Sequence, residues 1–255
     1  MRRWISYAVV VCLMFGFAGT LAAQEAPAQV SRVFYVTPKS GMEMQFEAAV
    51  KQHTEWHRLQ KDTWRWDVRF TETGSHSGEY IFVASGHTWA EFDKPVVSPQ
   101  ADGENYNKTM APFVASWSSL ILRLRTDLSR GGEDAASPNL SSVTFFNLKY
   151  GQTAKFVNAM RQIREALEKT NAPARTTWFQ VVGGGRNAIF VSATARANWA
   201  AFELTGPSPR ERVEQVFGRA AADSIYQNLE DSIAYTESKI SSYRPDLSYV
   251  PAAPR

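Results

Sequence analysis

The chain has 255 residues, with 28 basic and 25 acidic side chains and a formal charge of +3. That balance lacks the concentrated basic face that nucleic-acid binders display, so nucleic acid is excluded as a partner on electrostatic grounds. The one cysteine, Cys12, lies in the N-terminal leader. Once residues 1–23 are removed, no thiol chemistry, disulfide or cysteine metal ligand remains, and 26 basic residues face 25 acidic ones.

Arg2 and Arg3 precede the apolar run Ile5 to Phe17, and Thr20-Leu21-Ala22-Ala23 supplies small residues for cleavage. This pattern predicts an export signal over 1–23. The run is shorter than the roughly 20 residues a bilayer span requires. Cys12 follows Val9-Val10-Val11, without the small residue of a lipoprotein anchor. The expectation is a bacterial periplasmic or secreted protein, soluble after signal removal and without a later membrane span.

Val33 to Thr37 reads as a strand that Gly41 breaks. Phe46, Ala49, Val50, His53, Trp56, His57 and Gln60 then recur at helical spacing. Trp64, Trp66, Val68 and Phe70 alternate with polar residues, predicting a half-buried strand. A turn at Thr73 to Gly78 leads to a second hairpin strand, Tyr80 to Ala84, and Trp89 to Phe92 opens a short helical segment. Met110, Val114, Trp117 and Ile121 fit a further helix, while Leu120, Leu122 and Leu124 fit a closing strand; both readings stand.

The same order then recurs: strand Val143 to Leu148, helix from Thr153 to near Thr170, strand Thr176 to Val182, a turn at Gly183-Gly184-Gly185-Arg186, strand Ala188 to Ala193, then helices. No helix follows that glycine run and no Gly-Lys-Ser/Thr appears, so it reads as a hairpin turn, not a phosphate cradle. Gly41 and Gly151, Trp89 and Trp199, and Ser98-Pro99 and Ser208-Pro209 all recur at a spacing of 110 residues. Arg125-Thr126-Asp127-Leu128-Ser129 is matched by Arg244-Pro245-Asp246-Leu247-Ser248. Such matches indicate an internal duplication. The organisation expected is a signal (1–23), a first unit (24–129), a linker (130–140), a second unit (141–248) and a tail (249–255). Because both copies keep Trp89/Trp199 and the Arg-x-Asp-Leu-Ser tags, these read as core anchors and as Arg–Asp pairs pinning each unit's end.

Strand, helix, hairpin and helix once per copy make a ferredoxin-like layer of α+β class. The order, the glycine after strand one and the aromatic opening the second helical region resemble the dimeric α/β-barrel superfamily. That superfamily includes antibiotic-biosynthesis-type monooxygenases, stress-response barrel proteins and haem-binding chlorite dismutase and peroxidase relatives. The resemblance covers most of the mature chain and is topological. It implies that two tandem ferredoxin-like units form a pseudo-symmetric α/β barrel. The tandem haem members place their proximal histidine in the second unit. This second unit contains no histidine, so haem held in that manner is not expected, and no cofactor is assigned.

The 110-residue register sets His53 opposite Ile163 and His57 opposite Leu167. The second copy's helical stripe is apolar throughout; the first replaces two of its members by imidazoles one turn apart. Buried polar rings cost stability unless partnered. His76 and His87 also lie in the first copy, with Trp56, Trp64, Trp66 and Trp89. This composition suits a small-molecule site. The catalytic candidates are His57 for proton abstraction and His53 to orient it; Trp56, Trp64, Trp66, His87 and Trp89 are the ligand-binding candidates. A satisfied core pair is the bland alternative. A metal site needs a third ligand: Glu55 points to another helix face, His87 requires its loop to fold over, and His-Thr-Glu-Trp-His lacks the His-Glu-x-x-His pattern. No metal is therefore assigned, and His-based metal binding stands as a minor alternative. The expected function is binding, and cofactor-independent oxidation or isomerisation, of a small aromatic molecule. The alternative is a structural or partner-binding protein with a filled barrel. Assembly into a homo-oligomer is left open.

Overall fold

The computed structural model describes residues 29–131, 138–186, 188–203 and 205–251. The expected signal, the centre of the expected linker and the last residues of the tail lie outside them. The first half comprises β1 (Val30–Pro38), α1 (Glu43–Leu59), β2 (Asp67–Thr71), β3 (Tyr80–His87), the single turn α2 (Trp89–Phe92), α3 (Pro99–Thr109) and β4 (Val114–Leu124). The second comprises β5 (Leu140–Leu148), α4 (Thr153–Lys169), β6 (Thr176–Gly183), β7 (Ile189–Arg196), α5 (Pro209–Phe217), α6 (Arg219–Ser232) and β8 (Ile233–Tyr243). The strands form one closed antiparallel barrel in the order β1-β3-β2-β8-β5-β7-β6-β4. Two ferredoxin-like sheets are joined at their edges, β2 to β8 and β4 to β6.

The two-residue period of each strand sorts side chains between the barrel's faces. Inward-facing Val33, Tyr35, Ile81 and Leu122 of the first unit pack with Val143, Phe145, Phe179 and Val191 of the second in one cluster. The barrel interior is therefore occupied by side chains. Outward-facing Phe34 and Val36 pack with Phe46, Val50 and Met110 under the first unit's helices. Phe146 and Leu148 do the same with Phe156, Ile163, Val213 and Ile225 in the second. The glycine run is a hairpin turn, and a Cβ on Gly184, at φ +85°, would lie 2.3 Å from Ser119 O of β4.

The repeated tags form the Arg–Asp pairs that the sequence suggests, and each docks on the opposite unit. Arg125 Nε and Nη2 donate to Asp127 at 2.8 Å, and Asp127 also accepts from Arg161 of α4 at 2.7 Å. Arg244 donates to Asp246 at 2.9 Å and to Glu47 of α1 at 2.8 Å. Leu128 is buried in the second unit's helical layer and Leu247 in the first's. Ser129 Oγ accepts from Trp178 N of β6, and Ser248 Oγ accepts from Val68 N of β2, both at 2.8 Å. Each unit's last residues thus complete the core of the other.

Two sequence expectations change, and one that was left open is decided. The strand expected from Trp64 begins at Asp67; Trp66 instead pairs by a single bridge with Tyr249, and Trp64 N donates to Asp62 Oδ1. Residues 114–124 form the closing strand and not a helix. The helix before it is α3, whose polar sequence Pro-Gln-Ala-Asp-Gly-Glu-Asn shows no apolar stripe. Trp89 and Trp199 are not core anchors: they are 48% and 55% exposed, each opening a single helical turn and packing on the phenylalanine three residues later.

Two outcomes are expected of the exchanged tags. Leu247→Ala should cost about 2–4 kcal/mol in urea unfolding, as for a buried leucine deleted from a packed core. Donation from Arg125, and then Arg161, holds Asp127 down at about 2 against the opposing effect of burial. Its contribution is therefore full above the unfolded value of ~3.9 and lost as pH falls toward 2. Asp127→Asn should lower stability at pH 7 by about 1 kcal/mol or less, since the pair is partly exposed, and the difference from the parent should vanish near pH 2.

Candidate functional site

The helical layers of the two units are not packed alike. In the second, Phe146, Trp178, Ile163, Leu167, Val213 and Ile225 close the space between sheet and helices. In the first, a cavity of about 440 Å³ opens between the outer face of the sheet and α1 and α3. Its apolar walls are Phe34, Trp64, Trp66, Phe82 and Phe92, with the 59%-exposed Trp117 at the rim. Leu247 and Tyr249, carried in by the exchanged tail, also line it. The polar lining comprises Arg32, His53, His57, Asp62 and Asp102.

His53 and His57 share one face of α1, and α3 brings Asp102 and Asn105 against them. His57, 7% exposed, has Nδ1 2.9 Å from Asp62 Oδ2, and Asp62 is itself 6% exposed. His53 Nδ1 is 2.7 Å from Asn105 Oδ1. Each Nδ1 thus faces an oxygen acceptor, which sets both Nε2 atoms toward the cavity. They lie 3.2 Å apart. Asp102 Oδ1 faces both, 3.2 Å from His53 Nε2 and 3.4 Å from His57 Nε2, yet it is buried and receives no hydrogen bond. Burial works against the charged form of His57, but the facing carboxylates of Asp102 and Asp62 outweigh it and push the imidazole up to about 9. Burial also disfavours the Asp102 anion, yet the His53 and His57 rings hold that carboxyl well below its usual range.

Among the sequence-selected residues, the structure brings His53, His57, Trp64 and Trp66 to the cavity wall. Trp56 stacks on the His53 ring at 5.7 Å and buttresses it from behind. His87 ends β3, with its ring stacked on Trp64 at 3.8 Å and Nε2 buried without a partner; burial lowers its proton affinity. Trp89 lies outside the lining, and His76 is at the far turn beside Glu237. Glu55 pairs with Arg58 on the exposed face of α1. Sequence reasoning missed Asp62, Asp102 and Asn105. The 110-residue register would have flagged two of them, because it sets Asp62 opposite Ala172 and Asp102 opposite Arg212.

Arg32 completes the lining. Its guanidinium lies over Phe34 at 4.9 Å and has no carboxylate partner among the described residues. An apolar slot with one cation and one imidazole–carboxylate cluster suits a flat molecule bearing an ionisable oxygen.

No family model matches the chain, and no curated protein matches it significantly. Solved structures do. A proposed monooxygenase from Lactobacillus acidophilus superposes with a TM-score of 0.54 at 8% identity, over 88% of this chain and 97% of that one. An anthrone oxidase-like protein gives 0.54 at 11% identity, over 86% and 92%. A mutant chlorite dismutase from Candidatus Nitrospira defluvii gives 0.52 at 9%, over 85% and 92%. The likeness is one of fold: a closed α/β barrel built from two ferredoxin-like units. No helix among the described residues is long and apolar enough to cross a membrane.

Haem, which the haem-binding relatives imply, does not fit these residues. The barrel's second unit has no histidine, and its helical layer is packed with side chains. In the first unit, each Nε2 has the other imidazole and Asp102 Oδ1 within 3.2–3.4 Å, where a macrocycle on that nitrogen would lie.

The buried His57–Asp62 pair gives a direct prediction. His57→Leu copies the second unit's residue but strands the Asp62 carboxylate, so it should destabilise the protein by about 3 kcal/mol at pH 7. The double variant His57→Leu/Asp62→Ala, which copies both positions, should recover most of that loss in denaturant unfolding.

Proposed function

We propose that the first unit's cavity binds a small, flat aromatic molecule with an enolisable or phenolic oxygen and promotes its oxidation by dioxygen. The observation that carries this reading is the pairing of an aromatic slot with the His53–His57–Asp102 cluster in one unit, where the other unit is packed shut. The names of the fold neighbours, a monooxygenase and an anthrone oxidase-like protein, support the same class of chemistry. The export signal expected from the sequence over residues 1–23 would direct this activity to the periplasm or outside the cell.

Trp64 and Trp66 would stack on the ring system, with Trp56 and His87 holding His53 and Trp64 in place. This reverses the roles expected from sequence: His57, pushed up to about 9, carries a proton near neutral pH, so it abstracts none and offers a charged donor to the ligand's oxygen as that oxygen gains negative charge. His53 Nε2, 3.2 Å away, is the acceptor within the cluster for the proton released. An electron-rich anion held in a water-poor slot then meets dioxygen. For anthrone as probe the balance is C14H10O + O2 → C14H8O2 + H2O: the methylene is oxidised to a ketone, one oxygen atom enters the product and the other leaves as water.

Anthrone should quench tryptophan emission saturably under nitrogen. Trp64→Ala should weaken its binding about tenfold, the cost of removing an aromatic anchor. Under air, anthraquinone should form faster than in buffer, and His53→Ile should abolish the excess. Quenching unchanged in Trp64→Ala would sink the assignment of the pocket. Binding without accelerated oxidation would reduce the protein to a carrier.

A further inference from the structure

The geometry points to the His53–His57–Asp102 cluster as a binding site for one divalent transition-metal ion of the zinc class, with its open coordination position toward the cavity. Metal binding does not rest on the function proposed above: an ion on both Nε2 atoms displaces the proton that His57 donates and occupies the lone pair that His53 offers in the metal-free pocket.

The first argument is distance. His53 Nε2, His57 Nε2 and Asp102 Oδ1 form a nearly equilateral triangle with sides of 3.2, 3.2 and 3.4 Å. A tetrahedral ion with bonds of about 2.0–2.1 Å separates its ligand atoms by about 3.3–3.4 Å. The three atoms therefore form one face of such a tetrahedron without any rearrangement. The fourth vertex is free, as in catalytic rather than structural zinc sites, and the same donor set suits ferrous iron.

The second argument is the outer layer. Metal-bound imidazoles donate their other N–H to a carboxylate or carbonyl, which fixes the tautomer and strengthens the ligand. His57 has Asp62 Oδ2 at 2.9 Å in that role, and His53 has Asn105 Oδ1 at 2.7 Å. Both partners lie on the Nδ1 side, which leaves both Nε2 atoms, 3.2 Å apart, to face the Asp102 carboxylate.

The third argument is what the cluster lacks. Without an ion, the proton that His57 carries is what holds the two Nε2 atoms and Asp102 Oδ1 together, within 3.4 Å of one another. A single proton bridges only one edge of that triangle. Asp102 Oδ1 is left buried with no hydrogen bond, a condition proteins rarely tolerate without an ion or water to meet it. A divalent ion at the centre satisfies all three atoms at once. Among the described residues, no other group of histidine and carboxylate side chains has this arrangement.

The test is a titration of the chelator-treated, dialysed protein with Co²⁺, followed by competition with Zn²⁺. One equivalent of Co²⁺ should give the intense visible absorption of a tetrahedral site, and Zn²⁺ should bleach it. Asp102→Asn and His53→Ile should each weaken binding at least 100-fold while the near-ultraviolet circular dichroism stays native. Asp62→Asn should weaken it about 10–100-fold through His57, as outer-layer substitutions do. Absence of the band, or a band that survives Asp102→Asn in folded protein, would overturn the proposal. Anthrone quenching measured with chelator present reports on the pocket alone, so either reading can fail without the other.

Discussion

A ferredoxin-like sheet has two unpaired edges and two apolar faces, and this molecule resolves both by making each unit depend on the other. Edge pairing of β2 with β8 and of β4 with β6 closes the barrel and removes every exposed sheet edge. The Arg-x-Asp-Leu-Ser tags then cross over. Leu128 seals the second unit's helical layer and Leu247 the first's, and each is clamped by an arginine–aspartate pair and a serine bonded to a strand of the opposite unit. Neither helical layer is complete in one unit alone. The cavity inherits this dependence, because Leu247 and Tyr249 form part of its wall.

Barrel closure also decides where a ligand can go. The interior is filled by valine, isoleucine, leucine and phenylalanine side chains from both sheets, with Lys239 held by Glu79 at 3.3 Å and over the Tyr35 ring at 4.4 Å. Among the described residues, the cavity lies between sheet and helices. There the units diverge: four positions that are His53, His57, Asp62 and Asp102 in the first are Ile163, Leu167, Ala172 and Arg212 in the second. Three of the first unit's replacements put a polar group where its partner keeps an apolar one. Interiors packed at close to crystal density do not tolerate such exchanges without compensation. Here the compensation is a connected set of imidazoles and carboxylates beside an open volume.

The sequence made some of this legible and hid the rest for identifiable reasons. Helices α1 and α4 were readable because their apolar residues recur at 3.6-residue spacing over five turns. The register between the two units was readable because turns and aromatics recur 110 residues apart and the tags recur in the same order, from Arg125 to Arg244, 119 residues apart. Helix α3 was not, because it packs on α1 mainly through polar residues; its signal was the Ser98-Pro99 start, where Ser98 Oγ accepts from Ala101 N. Asp102 stayed hidden with it. The pair His53 and His57 stood out against Ile163 and Leu167, and Trp64 and Trp66 do line the cavity, whereas Trp89 and Trp199 misled. Trp89 and Trp199 match across the copies, yet both open exposed turns, since identity between copies records a shared local structure and not burial.

By itself the sequence determined the α+β class, the tandem ferredoxin-like order and the placing of the unusual chemistry in the first unit. Those features are carried by periodicity and by comparison of one half of the chain with the other, both of which are local in the sequence. Only the tertiary structure decided that the barrel interior is filled, that the tags exchange between units, and that Asp102 and Asn105 on α3 meet His53 and His57 on α1. Each of these depends on how far elements approach across the fold, which packing volume and strand register set. No spacing along the chain encodes the triangle of donor atoms, because its third corner comes from a helix some fifty residues away.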